Sequence, residues 1–219
     1  FGSPTAPLTF DVKFTKAGAY NYLCEIHPFM TGKVTVVDSG TVDTQAQIDA
    51  RAKTAYDTRL AAVKAAEAAL AAKAVPVAAV AGGGNKYTLA VGGGTMVGDD
   101  VQQFTPATFS IKEGDTIEWQ SVFPTPHTVP FGQPPAPVTD PFAVPPTTQT
   151  GYAGTGFVNS GILTASIPPD PNEVSKFALK FTKAGTYQYL CMLHADQGMT
   201  GTITVTAATA GTPTATATA

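Results

Sequence analysis

The sequence predicts a mostly β protein with one long α-helix, and three observations predict it. Residues 85–206 run as short alternating stretches bounded by Gly and Pro, the pattern of a β-sandwich. Residues 44–74 are dominated by Ala, with Lys, Arg, Glu and Leu making up much of the rest, all strong helix formers. A third kind of segment occurs twice: 10–27 reads FDVKFTKAGAYNYLCEIH and 177–194 reads FALKFTKAGTYQYLCMLH.

Within 85–206 the alternation places strands over 87–91, 108–112, 116–120, 176–181, 186–191 and 201–206. Tyr187, Tyr189 and Cys191 are two apart and share one face of their strand. Lys183-Ala-Gly185 and Lys112-Glu-Gly-Asp115 are turn signals. Trp119, the only tryptophan, falls mid-strand and is a core candidate.

The helix carries its own start and stop signals. Thr44 and Gln47 fit a capping box. Asp49 and Lys53 are spaced for an i,i+4 ion pair, and Pro76 with the glycines at 82–84 ends the run. Ile48, Ala52, Ala55, Ala62, Ala66 and Leu70 draw a thin apolar stripe. Two readings follow. The helix lies against its own domain or a neighbour, or it is a rigid spacer spanning about 45 Å at about 1.5 Å per residue.

Four zones result: residues 1–37 with the first repeat, a linker over 38–84, a full β-domain over 85–206, and a Thr/Ala-rich tail over 207–219. Residues 132–156 form a long Pro/Thr/Gly stretch, expected to lie on the surface and to cover or frame whatever His127 belongs to. The chain opens at Phe1 rather than Met. The expectation is that a leader was removed or that these residues are part of a longer polypeptide.

Composition excludes some classes. Net charge is −3 with no basic cluster, so nothing points to a nucleic-acid partner. No apolar run is long enough for a membrane span.

Both repeats end in metal-ligand spacing. Cys24 is followed by His27 and Met30, and Cys191 by His194 and Met199. Thiolate, imidazole and thioether form a soft donor set that suits copper, whereas hard cations and structural zinc have little use for a methionine sulfur. Taken singly, each residue has a bland reading: a small buried hydrophobe, a structural imidazole, core filler. A disulfide between the two cysteines is the other alternative. The same spacing twice, each Cys with a His three residues on, argues against these. A type 1 copper centre needs two His and one Cys near one plane, with a weak axial ligand such as Met. His127 is the one candidate for the distant His, which completes a second-domain set of His127, Cys191, His194 and Met199.

At these residues the chain resembles the cupredoxins. The order runs from Phe109-Ser-Ile-Lys-Glu-Gly-Asp-Thr-Ile-Glu-Trp119 through His127-Thr-Val to Gly185-Thr-Tyr-Gln-Tyr-Leu-Cys191, His194 and Met199-Thr-Gly-Thr-Ile-Thr-Val205. It is similar to that of plastocyanin-like proteins, including the Cys-x2-His-x4-Met loop. Cys24-Glu-Ile-His27-Pro-Phe-Met30 has the shorter amicyanin-like spacing. The resemblance implies a cupredoxin-type Greek-key β-sandwich over 85–206 and a partial cupredoxin unit over 1–37. The chain holds three histidines, and the other two fit the second domain, so the first repeat lacks a distant His. It lacks N-terminal strands as well, and 37 residues cannot bury a sandwich core alone. Upstream sequence must complete it, or another chain must donate strands and a ligand.

The function this implies is an extracytoplasmic blue-copper electron carrier, not an enzyme. Its copper would cycle between Cu(I) and Cu(II) among redox protein partners such as a cytochrome or a respiratory or photosynthetic complex. Ala195 and Pro130 beside His194, with Pro28 and Phe29 beside His27, would form a weakly charged docking patch. The alternative is a structural subunit of a cell-surface assembly or filament built by self-association of cupredoxin domains. A copper oxidase or nitrite reductase fragment is a third reading. Those enzymes need further histidines, yet Leu23 and Leu190 precede the two cysteines and no His is spare.

Overall fold

In the computed structural model, residues 9–25, 30–95 and 97–208 are described. Their elements are β1 (Gly18–Leu23), β2 (Thr31–Val36), α1 (Gln45–Ala71), β3 (Val77–Ala79), β4 (Asn85–Val91), β5 (Phe104–Thr105), β6 (Thr108–Lys112), β7 (Thr116–Ser121), β8 (Gly151–Tyr152), β9 (Lys176–Phe181), β10 (Gly185–Leu190) and β11 (Thr200–Thr206). The fold is the cupredoxin-type sandwich. One sheet runs β3-β4-β7-β9-β8, with β5 paired to β4, and the other runs β10-β11-β6. The predicted strands match to within two residues at each end, because period-2 burial is a local property of sequence. Along β7, Ile117, Trp119 and Ser121 point in, and along β10 Tyr187 and Tyr189 do.

The core fills the space between the sheets. Trp119 is fully buried and packs against Phe131, Phe177, Phe181 and Tyr189, with centroids 5.3–6.4 Å apart. Burying one large apolar side chain stabilises the fold by roughly 1.5–3 kcal/mol. Asp115 is the buried charge that ties the layers. Its Oδ1 accepts from the Asn85 N–H at 2.7 Å and its Oδ2 from the Lys112 N–H at 2.9 Å. This closes the β6–β7 turn at Gly114, whose φ of 91° only glycine adopts without strain.

The capping box at Thr44 forms as the sequence predicts. The Thr44 hydroxyl accepts from the Gln47 N–H at 3.3 Å, and Gln47 Oε1 accepts from the Thr44 N–H at 2.8 Å. The Asp49–Lys53 pair does not form as expected. Lys53 pairs with Asp57 at 2.6 Å, and Asp49 accepts from Gln45 at 2.8 Å, since each helix side chain has two candidates four residues away. Half-burial starts at the fifth turn, at Ala62, Val63, Ala66, Glu67 and Leu70, so only the C-terminal part of α1 lies against the sandwich. Ile48, Ala52 and Ala55 of the expected stripe stay exposed. No described helix is long and apolar enough to cross a membrane.

The hairpin β1–β2 is a structural copy of β10–β11. Gly18 faces Val36 and Tyr22 faces Gly32, as Gly185 faces Val205 and Tyr189 faces Gly201. The Tyr20 hydroxyl donates to Lys16 O at 2.8 Å, and that of Tyr187 to Lys183 O at 2.6 Å. What differs is the cover: Tyr22 is 62% exposed where Tyr189 is 3%.

Candidate metal centre

The distant histidine is placed by a two-residue bridge. His127 N–H donates to Leu163 O at 2.9 Å and Leu163 N–H to His127 O at 2.8 Å, which seats His127 at the end of the sandwich beyond β7. Cys191 follows directly on β10, at the position that continues the inward face of Tyr187 and Tyr189. The loop after it closes on itself. His194 N–H donates to Cys191 O at 3.1 Å, Met199 N–H to His194 O at 3.1 Å, and Cys191 N–H to Met199 O at 2.9 Å. A turn at Ala195–Gln197 and left-handed Gly198 reverse the chain between His194 and Met199.

Three donor atoms converge as a result. His127 Nδ1 is 3.2 Å from His194 Nδ1, Cys191 Sγ is 3.4 Å from His194 Nδ1, and Cys191 Sγ is 3.9 Å from His127 Nδ1. A point equidistant from all three lies about 2 Å from each. Metal bonds to imidazole nitrogen and thiolate sulfur are about 2.0–2.3 Å, as for zinc. The residues therefore fit a metal ion, and the donor set fits copper. Among the described residues this is the one cluster of three or more His, Cys, Asp and Glu side chains able to hold a metal. Met199, fully buried, joins the same loop and supplies a thioether, which zinc sites seldom use.

Burial sets the electrostatics. It pushes the His127 imidazole down to about 3, with the facing His194 adding to the effect. Burial lowers His194 too, while Asp100 and Asp196 pull it back up. Both rings are thus neutral near pH 7, with lone pairs available. Burial raises the Cys191 thiol, opposed by hydrogen bonds from the Thr128 and neighbouring N–H groups, so metal uptake would release its proton.

Of the predicted site residues, His127, Cys191 and His194 come together and Met199 stands in their loop. In the first repeat Cys24 N–H donates to Met30 O at 2.8 Å, as Cys191 does to Met199, but Met30 is 59% exposed. His27, with Pro28 and Phe29, lies outside the described residues. Of the expected docking patch, Ala195 is exposed, but Pro130 is buried and lines a groove of about 600 Å³ with Met192. The 132–156 stretch supplies Gly132, Gln133, Pro134 and Val138 to the same groove, and its β8 pairs with β9.

Sequence reasoning missed Thr128 and Gly92. Thr128 donates its N–H to Cys191 Sγ at 3.4 Å, and its hydroxyl accepts from the Met192 N–H at 2.8 Å. Gly92, with φ of 68°, lies against His127, and a Cβ there would collide with Nε2. A glycine directly after a predicted strand was the available signal for such a close approach.

A mixed β-sandwich with a buried His-Cys-His cluster at one end defines a cupredoxin. The sequence profile of copper-binding proteins of the plastocyanin/azurin family matches residues 91–206, and the chain belongs to that family. It is 31% identical to the plastocyanin of Scenedesmus fuscus over 102 residues, covering 47% of this chain and 85% of that protein. It is 32% identical to the chloroplastic plastocyanin of Hordeum vulgare over 143 residues, covering 64% and 76%. The solved structure of oxidised plastocyanin from Dryopteris crassirhizoma aligns over 54% of this chain and 99% of that one, at 24% identity and a TM-score of 0.34.

Proposed function

We propose that this protein is an electron carrier with one type 1 copper centre held by His127, Cys191, His194 and Met199. The observation that carries the reading is the convergence of His127 Nδ1, Cys191 Sγ and His194 Nδ1 on one buried point. When bound, copper supplies a one-electron Cu(II)/Cu(I) couple. The protein's part is to hold the donors in place, so that little rearranges on electron transfer. Leu163 fixes His127, Thr128 orients the sulfur, and the surrounding core excludes water. His194 is half-buried beside exposed Ala195 and Asp196, and its outer edge is the route to a partner. The partners are redox proteins that dock transiently, and the location is extracytoplasmic. The chain's own chemistry is carriage rather than catalysis.

Copper per chain, measured with the visible spectrum of the oxidised protein, tests this. One copper with an intense thiolate-to-copper band, lost in Cys191→Ser, is the expected result. A colourless protein that takes up no copper sinks it. Fractionation of the native protein tests the location, and a cytoplasmic pool would overturn that part.

A second reading concerns residues 1–37, proposed as the C-terminal part of a first unit that further strands complete, from this polypeptide or another. Its support is the hairpin itself, which repeats the register of β10–β11 with its core face uncovered. Such a face favours membership of a larger assembly, with a partial site at Cys24, His27 and Met30. Two coppers per chain would mean that a further histidine reaches Cys24. One copper, with a monodisperse monomer in sedimentation, would leave the hairpin without this role.

A further inference from the structure

The C-terminal part of α1 docks on the segment between β4 and β5, which also backs the distant histidine. Arg59 Nε donates to Asp99 Oδ1 at 2.5 Å and Arg59 Nη2 to Val97 O at 3.1 Å. Asp99 is only 10% exposed, so this pair is less screened than an ordinary surface one. Gln103 Nε2 donates to Glu67 Oε1. Leu70 covers Gly93 so closely that a Cβ there would meet its Cδ1.

The segment transmits that contact inward. Thr95 Oγ1 donates to Asp99 Oδ2 at 2.9 Å, Val101 N–H to Gly93 O at 2.8 Å, and Gly92 N–H to Gln103 O at 2.9 Å. Gly92, adjacent to the residue Leu70 covers, lies against the imidazole of His127. Among the described residues, that ring's buried Nε2 has no hydrogen-bond partner. Metal-binding histidines usually have the second ring nitrogen held by a carboxylate, carbonyl or water. Here no polar group of the described residues orients the ring from that side, and the close packing of Gly92 does so.

We propose that α1 positions the metal centre: Arg59, Glu67 and Leu70 press the segment after β4 inward, and Gly92 then fixes the His127 ring opposite Cys191 and His194. Arg59, Leu70 and Gly92 are positioning residues acting through His127. The helix that follows the β1–β2 hairpin thereby reaches the surroundings of His127 through its C-terminal part alone. The inference rests on the copper reading only for its effect on redox behaviour, since every contact in the path is protein to protein.

The test uses the full chain without metal and follows the ring C–H resonances of His127 by NMR, with the Trp119 indole as the reference for the core. Arg59→Glu sets two carboxylates against each other, and Leu70→Asp removes the apolar contact. Movement of the His127 signals in either variant, with Trp119 unmoved and with wild-type positions recovered in Arg59→Lys, is expected. His127 signals that coincide with wild type in both variants overturn the proposal, as do signals that move only together with Trp119. In copper-loaded protein the same variants are expected to shift the reduction potential. Failure of the wild type to take up copper would remove the electron-carrier reading, while the metal-free spectra would still decide this one.

Discussion

Thr128 holds Cys191 from two directions. Its N–H donates to the sulfur at 3.4 Å, and its hydroxyl lies 3.9 Å from the same atom while accepting from the Met192 N–H at 2.8 Å. One residue thereby fixes the cysteine side chain and the backbone just after it. Thr128→Val keeps the shape and the N–H but leaves the Met192 N–H unpaired. The expected loss is about 1–2 kcal/mol, read from denaturant unfolding of the metal-free protein. An unchanged midpoint would mean that water replaces the hydroxyl.

Gly201 and Gly32 occupy matching places in the two hairpins, each beneath a tyrosine ring. Tyr189 is locked in the core, whereas Tyr22 is open to solvent and free to swing aside. Gly201→Ala should therefore cost about 1–3 kcal/mol by overpacking. Gly32→Ala should leave thermal stability near that of wild type. Equal losses would show that Tyr22 is held by a partner in solution.

Asp115 accepts from two backbone N–H groups, so Asp115→Ala orphans both. Each buried unsatisfied group costs about 1–3 kcal/mol, and the substitution should be among the most damaging outside the apolar core. Asp115→Asn keeps one acceptor oxygen and should recover part of the loss. A chemical-denaturation series over wild type and the two variants checks the order.

The metal-free protein should lose stability in acid. His127 is held down at about 3 in the folded state, while its unfolded value is near 6.5. Below 6.5 the unfolded chain takes up a proton that the folded chain refuses. Stability therefore falls as pH drops from about 6.5 to about 3, by on the order of a few kcal/mol. His194 is lowered as well and acts in the same direction. Thermal midpoints across that range check the sign, and His127→Gln should flatten most of the slope.

Much of the architecture was legible because it is written in short-range patterns. Period-2 burial showed β6 and β9 end to end and put Trp119 in the core. The pair Thr44 and Gln47 marked the start of α1. The spacing of Cys191, His194 and Met199 is a property of one loop, so the repeat was enough to make them candidates. His127 was found by elimination, as the one histidine outside the repeats. Contacts between distant segments were not legible. Lys53 chose Asp57 over Asp49, and Arg59 found Asp99 forty residues away. Thr128 reaches Cys191 across 63 residues, and Gly92 meets His127 from beyond the neighbouring strand of the same sheet. Alternation, capping and ligand spacing act over a few residues, where chain connectivity limits the outcomes. Which donor meets the sulfur, what backs an imidazole and where a helix docks depend on which strands become neighbours and how the layers pack, and those energies exist only once the distant segments have come together.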